Sequence, residues 1–141
     1  MRFLSGLIMT AIILASCTSS NVTSLKDYKE DLLIISNGGG VTGQWTSWYI
    51  LSNGQLFRQA GTEGATNFVR KLSKQKTKEC FELVTSLNLK DQSFSHPGNM
   101  TYVLGLKHGN DTWQVKWGES GVEAPKGVEQ AYSKILSIIN Q

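Results

Sequence analysis

The amino-acid sequence predicts an α+β domain: a mostly antiparallel sheet made of two hairpins and an N-terminal strand, with two helices packed on one face. Three observations lead there. Short runs of β-branched and aromatic residues come in pairs joined by turn-forming residues, the sequence signature of neighbouring antiparallel strands. Two further segments carry apolar residues at helical spacing. The chain has 141 residues and only two cysteines, the size of one domain that buries its core without a disulfide framework.

The first strand is expected in "LLIIS", Leu32 to Ser36, and Asn37-Gly38-Gly39-Gly40 is expected to break it. "QWTSWYIL" and "QLFRQ" then flank Asn53-Gly54, a strong short hairpin signal. A two-residue turn with both residues at positive φ pairs Leu51 with Leu56, Ile50 with Phe57 and Tyr49 with Arg58. Gly61 to Gly64 ends this hairpin, and "NFVRKLSKQ" reads as a charged connection. Ser73 suits the N-cap of a helix reaching about Leu87, with Cys80, Leu83, Val84 and Leu87 on its apolar stripe. "TYVLGLK" and "TWQVKW" alternate with period two around "HGND" and form the second hairpin. Pro125 suits the first turn of a closing helix, where Val128, Ala131, Tyr132, Ile135 and Ile139 make the buried stripe.

The N-terminus carries a different signal. Arg2 precedes an apolar run from Phe3 to Leu14, which is too short to cross a ~30 Å hydrocarbon core but has the proportions of a secretory h-region. Leu14-Ala15-Ser16-Cys17, followed by polar Thr18-Ser19-Ser20-Asn21, resembles the lipobox of bacterial lipoproteins. That resemblance implies cleavage before Cys17 and acylation of its thiol, so that the lipid bilayer is the first partner. The expected organisation is a signal peptide over 1–16, a polar tether over 17–31 and one α+β domain over 32–141. Thr18, in place of an aspartate after the cysteine, resembles lipoproteins sorted to the outer membrane, facing the periplasm. Cys80 is left without an intramolecular partner; a buried thiol and an intermolecular disulfide are both open.

Little in the sequence points to chemistry. Losing Arg2 lowers the formal charge from +3 to +2, too little for nucleic acid to be the expected partner. "GGGVTG" has the glycines of a phosphate loop, but Gln44 and Trp45 stand where lysine and a hydroxyl belong, and a strand follows in place of a helix. His96 and His108 fall in loops without the spacing of a metal site, and no nucleophile elbow is present. No metal, cofactor or catalytic residue is therefore expected, and the protein is not expected to be an enzyme. Trp45 and Trp48 differ by an odd number of residues, which sends them to opposite faces of a strand, so that one is a candidate for contact with a partner. Arg70, Lys71, Lys74, Lys76 and Lys78 form a local basic run, read as a solvated helix approach with an anionic lipid surface as a minor alternative.

The order "ISNGGGVTGQW", hairpin, "LSKQKTKECFELVTSLNL", "MTYVLGLKHGNDTWQVKWGE" and "APKGVEQAYSKILSII" resembles the emfourin type of small inhibitors of thermolysin-like metalloproteases. The resemblance runs over most of the domain and implies a protease as partner; a membrane-held binding protein that inhibits a protease or neutralises a toxin is the functional class expected. Two loops are candidate contacts, Asn37 to Gly43 and Glu119 to Ala124, with Gly39, Gly40, Trp45, Trp48 and Glu119 as candidate binding residues. The alternative class is an envelope enzyme or a glycan-binding module that uses exposed tryptophans.

Overall fold

The computed structural model describes residues 21–141; the expected signal segment and Cys17 lie outside them. Six strands form one antiparallel sheet in the order β4-β3-β2-β1-β5-β6. They are β1 (Leu32–Gly39), β2 (Gln44–Leu51), β3 (Gln55–Ala60), β4 (Thr66–Lys71), β5 (Met100–His108) and β6 (Asp111–Trp117). Helix α1 (Lys74–Thr85) follows β4, and α2 (Val128–Ile139) closes the chain. The first four strands therefore make a meander. The β5–β6 hairpin returns to pair β5 with β1.

Three expectations about this sheet are corrected. "NFVRK" was expected as a connection, yet it is the edge strand β4, paired with β3 across a register shift at Leu56/Phe57. Its charge misleads because an edge strand is served by lysine, arginine and a bulge, which discourage further pairing. The Asn53-Gly54 turn is not a two-residue one. Only Gly54 takes positive φ (89°), the loop has three residues, and the pairs are Ile50 with Leu56, Tyr49 with Phe57 and Trp48 with Arg58. Third, β1 does not break at Asn37 but runs on to Gly39, pairing with Gln44 on one side and Met100 on the other.

The register matters because successive side chains point to opposite faces. Leu33, Ile35, Ile50, Leu56, Leu104, Val115 and Trp117 share one buried apolar cluster with Cys80 and Val84 of α1 and with Val128, Ala131, Tyr132, Ile135, Ile138 and Ile139 of α2. Ser73 caps α1 as expected, its hydroxyl accepting the Lys76 amide at 3.2 Å. Pro125 does not open α2. It sits in the turn before it, and Gly127, at φ 85°, occupies the cap position. At the other end of α2, Arg70 of β4 donates to the carbonyls of Ile138 and Ile139 at 3.2 and 2.5 Å. A cation there meets the unpaired carbonyls of a helix C-terminus.

A smaller cluster joins Leu32, Leu51 and Phe57 to Tyr28, with Val22, Leu25, Ile34 and Tyr49 against it. Val22 to Tyr28 belong to the segment whose composition reads as tether, but here they lie against the sheet. Gln55 holds them: its Oε1 accepts the Val22 amide at 2.8 Å, and its Nε2 donates to the Val22 carbonyl at 3.1 Å. The Tyr28 hydroxyl shares a 2.5 Å hydrogen bond with Ser52 Oγ.

Candidate functional site

The sheet has two ends with different equipment. At one lie the β2–β3 and β5–β6 turns and the docked Val22–Tyr28 segment. At the other, the end of β1, the start of β5 and the end of β6 lie side by side, because Gly39 pairs with Met100 and Tyr102 with Trp117. This second end carries the 40–43 turn, the 95–99 loop, the loop after Trp117 and the approach to α2.

The backbone there is tightly drawn together. Gly40 N–H donates to Asn99 O at 2.6 Å, and Gly43 N–H to Gly40 O at 3.2 Å. At Gly39, with φ 110°, a Cβ would stand 2.2 Å from Asn99 O, so only glycine permits this approach. The turn presents Val41, whose side chain is fully exposed, and Met100 beside it is 41% exposed. Phe68 and Val69 on β4 are the other exposed large apolar residues among those described, and no tryptophan is among them.

Gly39, Gly40 and Glu119, expected as contacts from sequence, are thus all at this end. Trp45 is there too, but half-buried, its ring lying over its strand neighbour Gly38, where a Cβ would meet Trp45 Cδ2 at 2.4 Å. Trp48 stands elsewhere. It packs half-buried against the larger cluster, on the face opposite Trp45. Trp113 also packs against that cluster, with Lys90 Nζ 4.4 Å from its ring centroid.

Beside the turn lies a cleft of about 440 Å³ that sequence reasoning did not single out, lined by Tyr102, Trp117, Gly118, Glu119, Val122, Glu129, Tyr132 and Ser133. Three aromatic rings form its base. Tyr102 and Trp117 stack with centroids 5.6 Å apart, and Tyr132 meets both edge-on at 5.7 and 5.2 Å. The Tyr132 hydroxyl accepts from Asn37 Nδ2 at 2.9 Å and donates to Ser36 O at 3.3 Å, which locks α2 to β1. Burial raises the Tyr132 pKa, with the Asn37 hydrogen bond working against it, so the phenol keeps the proton it donates. Glu119 is held at the rim. Its Oε2 is 2.8 Å from His96 Nδ1, and its amide donates to His96 O at 3.1 Å. The signals for this cleft were present as the period-two faces of β5 and β6 and as Tyr132 on the α2 stripe; what joins them is the packing of α2.

Other ionisable groups among the described residues pair locally, as Tyr28 does with Glu30 and Lys134 with Glu79. His108 Nδ1 pairs with Asp31 Oδ1 at 2.6 Å near the opposite end, and no group of three or more His, Cys, Asp or Glu is placed to hold a metal among the described residues. Arg70 is spent on the α2 terminus and Lys78 pairs with Glu82 at 3.5 Å, which thins the basic run.

Cys80 is a free, fully buried thiol. Burial, with a smaller push from the Glu79 charge, raises its pKa from the ordinary 9.0 to about 11. The unfolded chain therefore loses this proton first. The resulting stability is whole below pH 9 and is lost as pH rises through about 11. Thermal unfolding followed across this window should show the midpoint of the native protein falling more steeply with pH than that of Cys80→Ala; parallel curves would remove the thiol from the alkaline limb.

Compared with known proteins, the chain matches no protein-family model and no curated protein.

Proposed function

We propose that the chain is a lipoprotein of the bacterial envelope, held in the outer membrane through acylated Cys17, whose domain binds a protein partner and performs no catalysis. In this reading both helices cover one face of the sheet, supported by the single apolar cluster they share with it. The loops at the far end are then carried on a rigid scaffold, the usual arrangement for binding loops.

The observation that carries the reading is Val41. A fully exposed apolar side chain on a hydrogen-bonded glycine turn, with exposed Met100 alongside, is a small preorganised anchor of the kind a protein pocket accepts. The resemblance to emfourin-type inhibitors makes a thermolysin-like metalloprotease the partner to try first.

Two measurements test this. Cys17→Ala should move the protein from the membrane to the soluble fraction; retention in the membrane would end the anchor reading. The native chain in detergent should inhibit a thermolysin-like protease stoichiometrically and Val41→Asp should abolish this with the fold intact, since a substitution at so exposed a site leaves stability within about 0.5 kcal/mol. Absence of inhibition by the native chain, or equal inhibition by the variant, would reject the turn as an inhibitory contact.

A further inference from the structure

The cleft beside the turn has a charge of its own. The chain holds 14 lysines and arginines against 11 acidic residues, yet the cleft is lined by two carboxylates, Glu119 and Glu129, and by no lysine or arginine. Its base is aromatic. Tyr102 is the partly exposed ring, stacked on buried Trp117 and braced by buried Tyr132.

From this combination we infer that the cleft receives the guanidinium of an arginine side chain presented by the protein partner. The inference rests on the binding-protein reading and names the chemistry that the partner must offer. Aromatic rings attract a cation through the negative charge on their faces, and arginine is favoured because its planar group stacks on a ring while its fork of donors reaches carboxylates. The volume, about 440 Å³, takes a side chain with its flanking peptide. Glu129 lies in the first turn of α2 and Glu119 in the loop after β6, so the two carboxylates reach the cleft from different elements. His96 holds one of them: its 2.8 Å contact with Glu119 Oε2 positions the carboxylate, whose second oxygen remains for a ligand.

The probe is N-acetylarginine amide, titrated into the native chain in detergent and read by the indole N–H resonance of Trp117. A single side chain binds weakly, so a saturable shift at roughly millimolar concentrations is expected. The Trp113 indole, on β6 but outside the cleft, should stay still. The uncharged isostere N-acetylcitrulline amide should give no shift. Glu119→Gln combined with Glu129→Gln should weaken binding about tenfold, through the loss of two solvent-exposed ion pairs. Both glutamates are exposed, so the folded domain survives the change. Tyr102→Leu should weaken binding with the carboxylates intact.

An absent shift, an equal shift with the citrulline probe, or a shift with N-acetylglucosamine in place of arginine would overturn the assignment. Protease inhibition that depends on Val41 would survive each of these results. An arginine-specific shift in a chain that inhibits no protease would leave the cleft standing and remove that partner.

Discussion

Leu104→Ala should cost the domain about 3–5 kcal/mol, the range for deleting three carbons of a buried leucine when the surroundings only partly collapse. Leu104 sits on β5 between Ile35 of β1 and Val115 of β6, in one row across the sheet, and all three side chains have no exposure. Ile35 is held between two strands and Val115 by its pairing with β5, which limits how far either can move in to fill the space, so the upper half of the range is expected. For a domain of this size the loss corresponds to a fall in unfolding midpoint of roughly 15 °C. A total stability of about 5–15 kcal/mol leaves little after such a loss. Thr112→Ala, at an exposed position of β6, is the control and should stay within about 0.5 kcal/mol. A Leu104→Ala loss below about 1 kcal/mol would mean that this row is not the centre of the core.

Gly39→Ala is expected to have the second largest effect, for a backbone reason. At φ 110° an L-residue is strained, and the added Cβ would stand 2.2 Å from Asn99 O, a backbone atom that no rotamer change can move aside. Left-handed strain of about 1–2 kcal/mol and overpacking of about 1–3 kcal/mol add to roughly 3 kcal/mol. The alternative is that the β1 end separates from the 98–100 segment, breaking the 2.6 Å bond from Gly40 N–H to Asn99 O. Gly43→Ala, in the same turn at φ 60°, meets nothing within 4 Å and should cost only about 1 kcal/mol. Denaturant unfolding of the two variants separates close approach from conformational preference: equal losses would show that the Asn99 contact is not what requires glycine at position 39.

The elements with clean periodicity were legible in the sequence. β2 runs over Gln44–Leu51, the run expected between its flanking turns, the β5–β6 hairpin closes around Gly109-Asn110, and the buried stripe of α2 contains Val128, Ala131, Tyr132, Ile135 and Ile139. β4 was not legible, because its exposed, charged residues answer to the demands of an edge and not of a core. The hairpin register was misread because Asn-Gly serves both two-residue turns and three-residue turns that place only glycine at positive φ. One residue of difference changes every cross-strand pair. At the site, the sequence picked out Gly39, Gly40, Trp45 and Glu119, which the fold gathers at one end, and Trp48, which stands away from them, half-buried against the larger cluster. The aromatic cleft was hidden for another reason. Tyr132 belonged to the buried stripe of α2 and Tyr102 and Trp117 to alternating strands, and only the docking of α2 onto the sheet brings the three together beside a gap.

The carboxamide of Gln55 sets more than a local contact. By gripping Val22 it holds the chain five positions after Cys17, and five positions span no more than about 18 Å when stretched. The grip is at the hairpin end, and the eight residues of β1 place the 40–43 turn and the cleft about 26 Å further along. On the proposal that Cys17 carries acyl chains, the attachment enters the described chain at the hairpin end, and the glycine turn and acidic aromatic recess lie at the end of the sheet remote from it. A partner of the kind proposed would then meet that remote end from the aqueous side.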